Sequence, residues 1–163
     1  KEGIFTASDV SEDTVPGRFN ANEVDLNRNF DCKWSADGVW RGNKVNTGEG
    51  PFSEKESQVI RDYVLEIEPK AVIFWHSQAG AVYGSECFSG ILPDTLNIMN
   101  LYAKAAGYDA VPFFDAYPVH GDSEGWLASI DIPAITVELQ THSDVEFDRN
   151  IKGLKALLEY YKN

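Results

Sequence analysis

The sequence predicts an α/β protein, a three-layer α/β/α sandwich built on a mixed sheet. Two short apolar runs, Ala71–Trp75 and Ala134–Leu139, are rich in branched and aromatic residues, as strands covered on both faces are. Stretches of helical period lie beside them, over residues 53–67, 94–106 and 143–161. A helix, a tight turn at Pro69 and a buried strand in succession belong to an α/β layout rather than to a bundle or an all-β sandwich. The length of 163 residues, with 43% hydrophobic and 25% charged, suits a single domain over 1–163 with a true core.

Charge narrows the partners. Lys and Arg number 14 against 26 Asp and Glu, a formal charge of −12. Such a chain repels phosphate backbones and anionic lipid, so nucleic acid is not an expected partner. No run reaches the length of a membrane span. Cys32 and Cys87 allow one disulfide or two thiols, and without CxxC spacing they make no zinc motif. Export would favour a Cys32–Cys87 bridge, and a secreted or cell-envelope location is the working expectation.

In chain order, residues 1–19 read as irregular, with a short strand near Ile4 and Phe5 and one notable cation, Arg18. Residues 20–30 hold four asparagines, two acids and Arg28 between small or apolar spacers. That composition fits either a turn closed by Asx-type hydrogen bonds or an anion-binding site. Residues 31–52 form a long ordered loop whose Trp34 and Trp40 need burial. Ser53 and Glu56 make a capping box, opening a helix with an apolar stripe at Val59, Ile60, Tyr63, Val64 and Ile67. The strand Ala71–Trp75 ends in His76, at the strand end where open α/β sheets bind ligands. His76 can be a structural residue or a ligand.

Asp94 caps a helix to Ala106 that Gly107 stops. Residues 108–121 are aromatic and irregular, either a lid or a packed loop. Ser123 starts a short helix, Glu124–Ile130, with Trp126 and Leu127 inward. Glu138 interrupts the last apolar strand near its carboxyl end. A buried carboxylate is costly unless it is paired, bound to metal or raised in pKa, so Glu138 is the strongest single-residue anomaly. Ser143 and Glu146 make a second capping box before an amphipathic helix carrying Ile151, Leu154, Leu157, Leu158 and Tyr161.

The outliers Arg18, Asn27, Arg28, His76, Tyr117, Glu124 and Glu138 stand in an order and in local contexts that resemble the zinc metallocarboxypeptidases of the carboxypeptidase A type. The matching pieces are Asn-Ala-Asn-Glu-Val-Asp-Leu-Asn-Arg-Asn-Phe at 20–30, Pro-Phe-Ser-Glu at 51–54 and Trp-His-Ser at 75–77. Gly-Asp-Ser-Glu-Gly-Trp-Leu at 121–127 and Ile-Thr-Val-Glu-Leu at 135–139 complete them. The resemblance implies His76 as a zinc ligand and Glu138 as the general base that activates a zinc-bound water. It implies Asn27 and Arg28 as the clamp for a substrate's terminal carboxylate, and Arg18 as the group that polarises the scissile carbonyl. Ser77 would lie beside the substrate, and Tyr117 would close over it. Glu124 falls at the specificity position, where an acid would favour Lys, Arg or the amino-bearing end of diaminopimelate. The other reading of Glu124 is a first-turn helix residue facing the macrodipole.

Two departures qualify the resemblance. The family's first two zinc ligands come from an upstream His-x-x-Glu, and this sequence contains no such motif. One histidine cannot hold a catalytic zinc, which needs three protein ligands. The chain therefore reads as the C-terminal part of a catalytic domain, without the upstream strands, and on its own is expected to be inactive and to bind Zn2+ weakly. Glu23 also stands where the family's stretch usually has Gly, which would strain that turn. The expected activity of the longer protein is removal of a C-terminal residue from a peptide. The alternatives are a murein-peptide amidase cleaving γ-D-glutamyl-diaminopimelate and a non-catalytic module that binds C-terminal peptides.

Overall fold

The computed structural model describes residues 17–162, so the strand expected at Ile4 and Phe5 lies outside the described residues. A 3-10 turn, Leu26–Arg28, is followed in the long loop by a minimal hairpin, β1 (Val39–Trp40) and β2 (Asn43–Lys44). Then come α1 (Lys55–Ile67), β3 (Val72–Ser77), β4 (Ala81–Gly84) and a second small hairpin, β5 (Glu86–Cys87) and β6 (Gly90–Ile91). The rest is α2 (Pro93–Ala106), β7 (Asp109–Val111), α3 (Ser123–Ser129), β8 (Ala134–Leu139) and α4 (Phe147–Tyr160).

The central sheet is mixed, in the order β3-β8-β4-β7. β3 runs parallel to β8, β8 antiparallel to β4, and β4 parallel to β7. Side chains alternate across a strand, and that alternation sorts the two cores. Ile135 and Val137 of β8 pack with Val82, Ile98, Met99, Tyr102 and Leu157 under α2 and α4. Ala134 joins the opposite core with Val64 of α1 and Trp126 and Leu127 of α3. Thr136 and Glu138 therefore share Ala134's face, toward α3. On β3, Val72 and Phe74 belong to the α3 side and Ile73 to the other, so His76 also falls toward α3. Two helices on each face give the expected three layers.

Several local expectations change. Ser53 does not cap α1, whose flanking residue is Glu54 with no side-chain cap. The Ser53 hydroxyl is instead committed to the Asn29 amide and the Glu54 carboxylate. α2 begins with Pro93 at its first position after Leu92, and Asp94 lies inside the first turn. Asp94 accepts hydrogen bonds from the hydroxyls of Tyr160 and Tyr161 of the C-terminal helix region. α4 starts at Phe147 after a left-handed Glu146, because Thr141 and Asp144 close a turn over residues 141–146 that displaces the capping box. α3 is capped by Asp122, which accepts from the Gly125 amide at 2.8 Å.

The stripe on α1 also differs: Val64 is buried, but Val59, Ile60, Tyr63 and Ile67 are exposed. β3 is an edge strand among the described residues, only half-buried along its length, with Trp75 47% exposed. The reading of β3 as buried on both faces fails because no described strand lies beyond it for α1 to cover. Trp34 and Trp40 are half-buried, Trp34 donating to the Thr47 carbonyl and Trp40 lying under Arg18 and Arg41.

Cys32 and Cys87 form a disulfide across a sequence separation of 55, tying the segment after the 3-10 turn to β5. By chain entropy, closing a loop of that size restricts the unfolded chain by about 4 kcal/mol. Replacing both cysteines by serine should lower the unfolding free energy by about 2–4 kcal/mol in a denaturant titration. A change below about 0.5 kcal/mol would show that the bridge does not constrain the unfolded chain.

Candidate active site at the carboxyl ends of the central strands

The stretch 20–30 is organised from its asparagines outward. Asn20 Oδ1 accepts from the Asn22 and Val24 amides at 3.0 Å each, closing the turn that leads toward the 3-10 turn Leu26–Arg28. Both Asn20 and Asn22 donate to Glu54 Oε2 at 2.7 Å, which pins that turn to the entrance of α1. Glu23 sits at φ 59 in the left-handed region, where a non-glycine residue is strained, so the substitution noted in the sequence has a backbone cost. Asn29 is fully buried. It donates to Thr47 O, Gly50 O and Ser53 Oγ and accepts from the Glu54 amide and Ser57 Oγ. Every polar valence of that amide is used, so Asn29 sets the path of the loop.

Asp25 caps the 3-10 turn, accepting from the Asn27 amide at 3.2 Å, and its other oxygen holds Arg18 at 2.7 Å. Trp40 lies beneath that guanidinium, with 4.3 Å from Arg18 Cζ to the ring centroid. Arg18 is thus fixed on two sides beside Tyr117 and Arg28. Asn27 Oδ1 accepts from the Ser123 amide and hydroxyl at 3.2 Å each, leaving its NH2 group without a partner among the described residues.

Arg28 is 2% exposed. Its Nη1 donates to Asn27 O at 2.5 Å and its Nε reaches Val39 O at 3.5 Å. Among the described residues no carboxylate is in ion-pair contact with it, although buried arginines are normally paired, and a longer-range attraction to the buried Asp122 is what remains. Gly121 closes its turn at φ 71 against the Arg28 backbone, where a Cβ would meet Arg28 O at 2.6 Å.

The sheet supplies the second half. His76 and Glu138 stand side by side in the parallel register of β3 and β8, with His76 Nδ1 3.8 Å from Glu138 Oε1. His76 Nε2 lies 3.7 Å from Glu124 Oε1. Glu124 is buried in the first turn of α3, accepting from Thr136 Oγ1 at 3.1 Å and Ser123 Oγ at 2.8 Å. Burial, and secondarily the charge of Glu124, raise the Glu138 carboxyl above its ordinary value. Glu138 Oε2 is buried with no hydrogen-bond partner. Asp122 is raised as well, by burial first and then by Glu124.

Arg18, Asn27, Arg28, His76, Ser77, Tyr117, Glu124 and Glu138 all line one cleft of about 830 Å³. The structure brings every sequence-predicted site residue to one place. Tyr117 stacks edge-on against Phe114 at 4.9 Å, and Phe114 against Tyr83 at 5.5 Å, so the loop over residues 108–121 is held as an aromatic wall. Asp25, Trp40, Thr136 and His142 join the cleft or its supports without having been singled out by sequence. Asp25 carried a signal, since it sits within the Asn-rich stretch, and Trp40 was marked only as needing burial; Thr136 and His142 had none.

Residues 6–155 match the zinc carboxypeptidase family profile. The chain belongs to that family. It is 25% identical over 171 residues to murein peptide amidase A of Vibrio campbellii, an alignment spanning 98% of this chain and 65% of that protein. Its fold superposes on the crystal structure of murein-tripeptide amidase from Escherichia coli O157 with a TM-score of 0.61 and 27% identity, over 86% of this chain and 59% of that one. Carboxypeptidase A from Helicoverpa armigera shares the fold at a TM-score of 0.62 and 21% identity, over 83% of this chain and 41% of that one. The chain spans less than two thirds of the length of these relatives.

The family is zinc-dependent, and His76 suits one metal position as an imidazole at a strand end. Among the described residues no cluster of three or more His, Cys, Asp or Glu is arranged to hold a metal. A catalytic zinc needs three protein ligands, so the described donors do not complete that site.

Proposed function

We propose that the protein carrying this chain hydrolyses the amide bond on the amino side of a residue with a free carboxylate and an ammonium-bearing side chain. The observation that carries this reading is the buried Arg28, which has no carboxylate in contact among the described residues. A guanidinium out of water with no carboxylate in contact is costly, and a substrate carboxylate supplies the missing partner as a bidentate fit. The free NH2 of Asn27 adds a donor beside it. Arg18, held by Asp25 and Trp40, faces the scissile carbonyl and stabilises the oxyanion. Glu138 takes the proton of the attacking water and returns it to the leaving amine. His76 would be one ligand of the zinc that the family uses, and that metal would supply the activation of such a water. Tyr117 closes over the bound substrate, and Ser77 borders it.

Two substrates fit this frame, a peptide with a basic C-terminal residue and a murein peptide cleaved between γ-D-glutamate and diaminopimelate. The activities named for the amidase relatives favour the second, and the buried acid Glu124 serves either. A murein substrate and the Cys32–Cys87 bridge both fit a cell-envelope location. The discriminating experiment compares Lys-terminated peptides with a muropeptide, using a protein that carries this chain together with the remaining zinc ligands. Faster turnover of the muropeptide is expected. Turnover of neither, with zinc bound and Arg28-dependent binding intact, would replace the enzyme with a binding module.

Glu124 has its own test. Glu124→Gln should lower kcat/KM for an ammonium-bearing residue about 10- to 100-fold and leave a norleucine analogue nearly unchanged. Equal loss on both would make Glu124 a structural acid of α3.

A further inference from the structure

The cleft has a direction. From the carboxylate clamp, hydrogen bonds and close contacts run Asn27 to Ser123, Ser123 to Glu124, Glu124 to His76, and His76 to Glu138. Beyond His76 on the same strand is Ser77, whose Oγ lies 2.5 Å from His142 Nδ1. The clamp and the Ser77–His142 pair are therefore the two ends of one path, with the reacting groups between them. A substrate whose free carboxylate lies at Arg28 and whose scissile bond lies at Glu138 must place its acyl-side residue toward His142.

His142 is oriented for recognition. In the tautomer in which Ser77 Oγ donates to Nδ1, Nε2 carries the ring hydrogen, and a carboxylate approaching Nε2 selects that tautomer. That N–H has no hydrogen-bond partner among the described residues, and His142 lines the cleft. Its ring is close enough to Glu138 to offset part of that negative charge. A second carboxylate on the acyl side would approach Glu138 as a like charge. The group standing there to meet it is this imidazole.

We propose that His142, positioned by Ser77, is a specificity-determining residue that binds a free carboxylate on the acyl side of the scissile bond, as a γ-linked glutamyl residue presents. The inference rests on the proposed placement of the substrate along the cleft and adds what its far end reads. An ordinary α-linked peptide offers only a neutral carbonyl at that place.

The test is binding, measured by calorimetry on this chain. The probes are γ-D-glutamyl-L-lysine and its counterpart whose glutamyl α-carboxylate is a carboxamide. The native chain should bind the carboxylate form about tenfold more tightly, the effect of one hydrogen bond to a charged group. His142→Ala should erase that preference while keeping the affinity for the carboxamide form. His142→Gln, which keeps a donor, should restore part of the preference. His142 is exposed in a loop, and an unchanged melting curve confirms that each variant is folded. A preference that survives His142→Ala overturns the inference. So does equal binding of both ligands by a native chain whose affinity still collapses in Arg28→Gln, an outcome that leaves the clamp standing. Binding of neither ligand overturns the inference and the clamp together.

Discussion

Glu138→Gln is expected to slow hydrolysis about 1000-fold while changing ligand affinity by less than about threefold, the signature of a lost general base rather than a lost contact. The substitution is nearly isosteric, so the packing of β8 against α3 survives. What disappears is the ability to take a proton from water and hand it to the leaving amine. The assay needs a protein with the full set of zinc ligands and a substrate ending in a free carboxylate, read as separate kcat and KM. The same variant should melt at a higher temperature than the parent. Glu138 Oε2 is buried without a partner and the carboxyl is raised by burial, so the charged form is held at a cost in the fold. Higher stability with lost turnover is what a functional acid shows; a structural acid would lose stability when neutralised. Retained turnover would remove Glu138 from the mechanism.

Arg28→Gln should weaken binding of a free-carboxylate ligand about 100-fold, with almost no effect on the same ligand amidated at its C-terminus. Mutation and amidation remove the same interaction from its two sides, so their effects should not add. Arg28 holds only backbone carbonyls among the described residues, and these are weak compensation for a buried guanidinium. The variant should therefore be no less stable than the parent in denaturant. Additive effects of mutation and amidation would mean that the carboxylate binds elsewhere. A large loss of stability would mean that Arg28 serves the fold.

Much of this was legible in the chain. β8 was readable to its ends, because a continuous β-branched run bounded by Pro133 and polar residues has few other conformations. The mixed α/β layering followed from the order of periodic segments. Residues 20–30 announced themselves by composition, and all eight candidate side chains meet in one cleft. The misreadings have one physical origin, competition for the same polar group. Ser53, Asp94 and Ser143 have the chemistry of caps, but Ser53 is taken by Asn29, Asp94 by two tyrosines, and Ser143 lies in a turn closed by Thr141 and Asp144. The α1 stripe misled for another reason: helical period reports which residues can be covered, not whether a neighbouring strand is there to cover them.

The sequence by itself determined the family through its motifs and the layer order through its periodic segments, and it singled out residues 20–30, His76 and Glu138 by composition and by residue types that are costly to bury. Only the tertiary structure decided that Arg28 touches no carboxylate among the described residues, that Asp25 and Trp40 hold Arg18, that Thr136 and Ser123 hold Glu124, and that His142 reaches Ser77. Most of those facts depend on groups that meet across as many as 65 residues of chain, and a periodicity read along one strand carries no record of them.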